Sequence, residues 1–335
     1  MPFVSNTQTS ASTEIVAVDI GGTHARFAIA RPGDNGRIEL ENLVTLQTED
    51  HSSFQTAWQE YRGHMGGILP RSVAMAIAGP VDGNVIRLTN NPWVIQPAML
   101  QETLEVDQFT IINDFGAVAH TVACSSCDHF VHLAGPDIKL PEVGTISVVG
   151  PGTGLGVAYL WRDESGSYRV QATEGGHGDF SPLDQIEDAI LNRLRERHGR
   201  VSVERVVSGP AIVDVYATLA KLEGKAITEL SDREIWQAGT SGGDEIAAAA
   251  VDRFCLALGA VAGDYALAHG ASGVVIAGGL GYRIRDTLLR SGFAERFCAK
   301  GRYEHMMAGL PVKLITHEQP GLCGAAVAFF REHGG

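Results

Sequence analysis

Apolar residues fall along the chain in short runs punctuated by glycine. Ile15-Val16-Ala17-Val18-Asp19-Ile20 is a run of strand type; Gly21-Gly22-Thr23 breaks it, and Ala25 to Ala30 resumes it. Arg31-Pro32-Gly33-Asp34-Asn35-Gly36 is a dense turn signal before a third strand around Ile38 to Leu46. Three strands joined by hairpins therefore open the chain. Buried strands are further predicted at Val73 to Ala78, Phe109 to Ile112, Ile146 to Val149, Val157 to Trp161 and Val274 to Ala277. Helical spacing appears where Leu183, Ile186, Ile190 and Leu194 share one face. Ser181 is the expected cap there, Pro182 the first helical residue, and Gly199 the stop after a basic last turn. Glu245 to Ala268 is apolar nearly all round, which predicts a buried helix, and Gly321 to Phe330 predicts a terminal one.

The opening pattern recurs 131 residues later. Ile146 to Val149 is again an apolar strand, Gly150-Pro151-Gly152-Thr153-Gly154-Leu155-Gly156 is again a glycine-rich turn, and Val157 to Trp161 is again a strand, with Gly152 where Gly21 stood. A strand–turn–strand unit at that separation points to duplicated α/β halves, since solenoid repeats run at about 20–50 residues.

A length of 335 residues calls for about two domains at ~150 residues each. The 39 acidic and 26 basic residues leave a net charge of −13, which opposes binding to nucleic acid. An anionic ligand must then be held by local devices such as backbone N–H groups and Mg²⁺. Five cysteines, an odd number, suggest free thiols, and Cys124 and Cys127 have no second pair or histidine cluster at metal-ligand spacing. The first 13 residues lack the basic start and apolar core of a signal peptide, and no run approaches ~20 apolar residues. A cytoplasmic protein with no membrane partner is expected.

Glycine turns after apolar strands, at 21–22, 150–156 and 278–279, let backbone N–H groups approach phosphate oxygens unobstructed. None is a G-x-x-x-x-G-K-[ST] loop, and none is a G-x-G-x-x-G opening a helix. Asp19 beside the first turn would repel phosphate unless a cation stood between them, which suggests Mg²⁺ held directly or through its waters; an Asp serving the turn is the plainer alternative. Asn113-Asp114 stands at a strand end, where Asp can take a proton from an attacking hydroxyl and Asn can donate to and accept from its neighbour. On the dipeptide alone a helix cap is the simpler account. Glu174-Gly175-Gly176-His177 can wrap adjacent sugar hydroxyls, and Glu204 can add an acceptor or make a surface ion pair. His177 has no second metal ligand at helical or hairpin spacing.

Asp19-Ile20-Gly21-Gly22-Thr23, Asn113-Asp114-Phe115, Gly150 to Gly156, Glu174-Gly175-Gly176-His177, Glu204-Arg205-Val206-Val207-Ser208-Gly209-Pro210 and Ala277-Gly278-Gly279 occur in the order and spacing of the bacterial glucokinase family. The chain resembles that family from about Ile15 to its end. The resemblance implies an α/β fold of the duplicated actin-like (ribonuclease H-like) sugar kinase type, two domains with an interdomain cleft. The small domain would span 14–124 completed by 317–335, the large domain 125–316, with 1–13 a flexible extension. The implied reaction is transfer of the γ-phosphoryl of ATP to the 6-hydroxyl of D-glucose, giving glucose 6-phosphate and ADP, the first step of glycolysis. By the same resemblance Asp114 is the catalytic base, and Asn113, Asp114, Glu174, His177 and Glu204 bind the sugar. Val18, Asp19, Ile20, Gly21, Gly22, Thr23, Gly152, Thr153, Gly154, Gly156, Gly278 and Gly279 bind ATP, Asp19 also serves Mg²⁺, and the protein is a homodimer. His24 and Gly150-Pro151 depart mildly from the family pattern.

Two other readings compete. A related family of sugar kinases and repressors opens with the same D-x-G-G-T strand, but it carries a cysteine cluster after its acidic-Gly-His motif, and no cysteine lies between Cys127 and Cys255 here. An actin-like chaperone or filament ATPase would need neither Asn113-Asp114 nor Glu174 with His177.

Overall fold

The computed structural model describes residues 14–33, 37–88, 91–227 and 229–334. The N-terminal extension 1–13 and the turn tip 34–36 lie outside the described residues. Two compact units divide the chain: one holds the residues up to Ser125 together with those from Glu318 onward, the other Ser126–His317.

The first unit is a five-stranded mixed sheet. Strands β1 (Ile15–Ile20), β2 (His24–Pro32) and β3 (Ile38–Gln47) form the expected antiparallel hairpins; β4 (Ser72–Ile77) and β7 (Gln108–Asn113) then add in parallel on the other side of β1, giving the order β3-β2-β1-β4-β7. Two-residue strands β5 (Ile86–Arg87) and β6 (Val94–Ile95) make a separate small ladder. Alternation along β1 divides its side chains between two faces. Val16, Val18 and Ile20 face a bulky cluster with Phe27, Phe54, Trp58, Tyr61 and Met75. Ile15 and Ala17 face the opposite way with Ala28, Ala30, Ala74 and Ala76, all small, and the helix Pro320–His333 covers them. The small side chains let that helix lie close to the sheet and to the helix Asp114–Cys124: a β-carbon on Gly324 would stand 1.7 Å from the Ala117 carbonyl oxygen.

The second unit repeats the plan. Strands β8 (Phe130–Ala134), β9 (Gly144–Pro151), β10 (Leu155–Arg162), β11 (Tyr168–Thr173), β12 (Ala271–Ile276) and β13 (Val312–Ile315) form one sheet in the order β11-β10-β9-β12-β13-β8. Again three antiparallel strands continue into parallel ones, β9-β12-β13, with β8 antiparallel at the edge. The repeat offset holds to the residue: β1 ends at Ile20 and β9 at Pro151, while β2 begins at His24 and β10 at Leu155.

Helix Glu245–Ala268 has the expected span and fills the core of this unit with Ala250, Phe254, Leu258 and Ala262. By length and composition it could cross a membrane, but 72% of its most apolar stretch is buried within the protein. The helix expected to start at Ser181-Pro182 begins instead at Gln185. Asp184 is its cap, accepting the Ile186 and Glu187 amides at 3.0 Å. The start moves because Arg296 binds both Asp184 (2.6 Å) and the buried Glu187 (3.1 Å), an ion-pair requirement that outranks the proline signal. Leu183 therefore precedes the helix, half exposed. Gly199 closes it as expected.

Two predictions follow from the packing of the first unit. Gly324→Ala should destabilise the protein by about 1–3 kcal/mol or more, read as a lower urea midpoint, because the added carbon meets backbone rather than a movable side chain. His120, partly buried on the helix Asp114–Cys124, has its pKa pushed down to about 4 by burial and then by the Arg331 charge. The unfolded chain takes up that proton first, near 6.5, so stability should fall between about pH 6.5 and 4, by roughly 3 kcal/mol at most. His120→Leu should flatten that stretch of the pH–stability curve.

Candidate active site

In the first unit the polar candidates gather at the carboxyl edge of the parallel strands. The register places Asp19 beside Ala76 and Ala76 beside Ile112, with Ile77 beside Asn113 one step further on. Open α/β sheets hold ligands outside this edge, where strands hand over to turns and helices. Asn113 ends β7 and caps the helix Asp114–Cys124. Its Oδ1 accepts the Phe115 and Gly116 amides at 2.9 and 3.0 Å, and its Nδ2 donates to the Gly79 carbonyl at 3.1 Å. Its oxygen is thus occupied by the helix, and one amide hydrogen remains for a ligand; the expectation that Asn113 both donates and accepts narrows to donation. Asp114 follows at the positive end of that helix, its Oδ1 accepting the Phe115 amide at 2.8 Å.

Asp19 lies directly across the first hairpin from Arg26, whose Nη1 approaches its Oδ2 to 3.1 Å. Burial pushes the Asp19 carboxyl above its ordinary pKa, and Arg26 opposes the shift. The start of the helix Pro320–His333 presses on the same carboxylate, since a Gly321 β-carbon would be 2.6 Å from Asp19 Cγ. The turn beyond is pinned through its carbonyls. Gly21 O accepts Asn91 Nδ2 (3.2 Å), Gly22 O accepts Thr48 Oγ1 (2.9 Å) and Thr23 O accepts the Thr48 amide (3.0 Å). With Gly21 N–H donating to His24 O at 2.9 Å, the Gly22 and Thr23 amides are the turn's remaining backbone polar groups.

The second unit holds the other candidates as one piece. The Gly152-Thr153-Gly154 turn closes on itself through Gly152 N–H to Gly154 O at 2.8 Å, and it rests on the loop 203–209: Gly209 N–H donates to Gly152 O at 2.7 Å, and Leu155 N–H donates to Glu204 Oε2 at 3.0 Å. Glu174-Gly175-Gly176-His177 forms a short 3₁₀ turn against β10, so close that a Gly176 β-carbon would lie 2.3 Å from the Leu155 carbonyl oxygen. Tyr265 OH donates to Gly175 O at 2.6 Å, and Val203 N–H donates to Gly178 O at 2.8 Å, joining this turn to the Glu204 loop. Glu174 and His177 are exposed, with Oε2 and Nε2 3.9 Å apart. Gly278 has φ +84° and opens the helix Gly278–Arg283; a β-carbon there would stand 2.6 Å from Pro151 O, which brings it against the base of the same turn.

These turns suit a nucleotide. A β-carbon on Gly152 would meet nothing within 4 Å, so its face is open, and Gly279 is open in the same sense. Among the described residues no group of three metal-ligating side chains exists. A single carboxylate at Asp19 nevertheless fits Mg²⁺, which keeps several waters and takes one or two carboxylates plus substrate phosphates. Val18 and Ile20 bury their side chains in the core, which leaves them only a backbone role. Gly156 pairs with Gly150 inside the hairpin ladder, outside the turn proper. Sequence reasoning misses Arg26, Thr48, Asn91 and Tyr265, whereas Gly209 stands within the Glu204 to Pro210 motif but without a role. Arg26 alone had a signal, the hairpin register that sets it opposite Asp19.

Two mixed sheets, each with a glycine hairpin beside clustered polar groups, follow the plan of the α/β sugar kinases. The family profile described as Glucokinase matches residues 16–332. The chain is 54% identical to a glucokinase of Zymomonas mobilis subsp. mobilis over 96% of its length and 98% of that protein. It is 38% identical to a glucokinase of Paramagnetospirillum magneticum, over 94% and 97%. A solved glucokinase from an Antarctic psychrotroph superposes with a TM-score of 0.83 at 34% identity, over 95% of this chain and 99% of that one. The chain belongs to the glucokinase family.

Asn113→Ala should remove the cap of the helix Asp114–Cys124 and cost about 1 kcal/mol in denaturant unfolding, within a range of ~0.5–2. Asn113→Ser, which keeps a capping acceptor without setting a carboxylate against the Gly79 carbonyl, should recover part of that loss.

Proposed function

We propose that this chain is an ATP-dependent glucokinase, transferring the γ-phosphoryl of ATP to the 6-hydroxyl of D-glucose, and that its two units work as the two domains of an actin-like sugar kinase. The observation that carries the reading is the joining of the 152–154 turn, the Glu174–His177 turn and the Glu204 loop by hydrogen bonds and close backbone packing around the start of β10. In this reading the turn's amides would hold phosphate beside the side chains that would hold the sugar hydroxyls. Asn113 and Asp114 supply the complementary groups at the end of β7.

In this reading Asn113, Glu174, His177 and Glu204 orient the sugar, and Asp114 accepts the 6-hydroxyl proton as O6 bonds to the γ-phosphorus. The bond from that phosphorus to the bridging oxygen breaks, and ADP leaves with the electron pair. The amides of Gly22, Thr23, Thr153 and Gly154 hold phosphate oxygens. Asp19 would hold Mg²⁺ through water, and the ion would supply charge neutralisation for the polyphosphate. The protein would act in the cytoplasm as a homodimer, a state that analytical ultracentrifugation checks.

A coupled assay over a panel of hexoses tests the acceptor: ATP turnover should depend on glucose, and turnover indifferent to sugar would remove the reading. Asp114→Asn should lower kcat about 10²–10⁴-fold while glucose still binds, because the amide keeps an acceptor oxygen but takes no proton. Near-full kcat in that variant would exclude Asp114 as the base.

A further inference from the structure

Glu204 is half-buried, and its carboxylate is committed to the backbone of the neighbouring turn. Oε2 accepts the Leu155 amide at 3.0 Å. The same oxygen fills the space where a side chain on residue 154 would begin: a β-carbon on Gly154 would lie 2.4 Å from Oε2 and 3.1 Å from Cδ. Gly209, five residues along the same loop, holds the other end of the turn through Gly152 O. The loop thus grips the 152–155 segment at both ends, once by a neutral backbone bond and once by a charged acceptor. A carboxylate bond to an amide is the stronger kind. Glu204 Oε1 has no part in this grip and stays 3.8 Å from the Gly154 β-carbon position.

We infer that Glu204 is a positioning residue for the nucleotide turn, holding the Thr153 and Gly154 amides in their phosphate-binding arrangement, through its bond to the Leu155 amide, before any sugar arrives. This rests on the glucokinase reading and extends it. One oxygen is given to the donor side of the site, the other is left for the acceptor, and the two substrates therefore meet on a single carboxylate. A residue acting only as a sugar ligand would leave nucleotide affinity untouched when no sugar is present. A residue that shapes the turn would not.

The test measures Mg–ADP binding by calorimetry, without sugar, on wild type, Glu204→Ala and Glu204→Gln, together with hydrogen exchange at the Leu155 amide in the ligand-free proteins. Glu204→Ala should weaken Mg–ADP about tenfold or more and lose the Leu155 protection. Glu204→Gln, whose amide oxygen still accepts from Leu155, should keep both within about threefold while losing glucose affinity as the alanine variant does. Two glycine variants carry the question if the alanine protein does not melt cooperatively. Gly154→Ala should weaken both Mg–ADP and glucose, because its carbon displaces Glu204, whereas Gly152→Ala, opening onto free space, should affect Mg–ADP alone. Unchanged Mg–ADP affinity in Glu204→Ala overturns the inference. So does an equal loss in the Gln variant, or a Gly154→Ala protein with wild-type glucose binding. A wild-type protein that binds Mg–ADP but does not phosphorylate glucose removes the acceptor reading and leaves these sugar-free measurements to decide the turn.

Discussion

A hairpin ladder leaves little freedom in what stands opposite what, and both halves of this protein hang their chemistry on such a ladder. Once Ile20 pairs with Ala25, Asp19 must face Arg26, and the parallel neighbours β4 and β7 bring Ala76 and Ile112 into line with it. The strand ends are therefore level, and the groups just beyond them, Asn113 and Asp114 among them, share one edge. In the second unit the ladder Pro151 with Leu155 fixes the turn between β9 and β10 in the same way. A slip of one residue would turn Asp19 into the packed interior and destroy the edge.

The two turns occupy equivalent places yet are secured by different means. The first is tied by its carbonyls to Thr48 and to Asn91. The second is tied through one carbonyl and the following amide, by Gly209 and Glu204. Duplicated geometry has thus been kept while the supporting contacts diverged. The divergence has chemical content: the first turn's anchors include only neutral side chains, the second's a carboxylate that also belongs to the proposed sugar site.

Much of this was legible in the residues themselves, and the reasons are local. The strand–glycine–strand pattern sets hairpins through short-range rules, so β1, β2, β9 and β10 and their offset could be read directly. The helix Glu245–Ala268 was legible because an uninterrupted apolar surface has one sensible fate. What escaped depends on distant partners. The Asp184 cap is chosen by Arg296, more than a hundred residues away in sequence, and Tyr265 reaches Gly175 across a similar gap. Strand β13, only four residues long, carries no signal beyond a few apolar positions, and it exists because β12 and β8 flank it. Glu204 was legible as a polar candidate, but its bond to Leu155 needed the fold.

The first unit is assembled from the two ends of the chain, and this has a bearing on synthesis. Residues 126–317 form their unit from one continuous stretch, whereas the alanine-lined face of the first sheet waits for Pro320–His333. At about 5–20 residues per second, ribosomal elongation leaves that face uncovered for many seconds while the whole of the second unit is being made. The delayed helix also presses on Asp19 and receives the Thr121 Oγ1 bond at Pro320 O, 2.6 Å. A nascent chain cut short before Glu318 would thus lack the piece that packs against the Asp19 carboxylate. Incomplete products would carry an exposed apolar strip, the feature by which chaperones and proteases single out unfinished molecules.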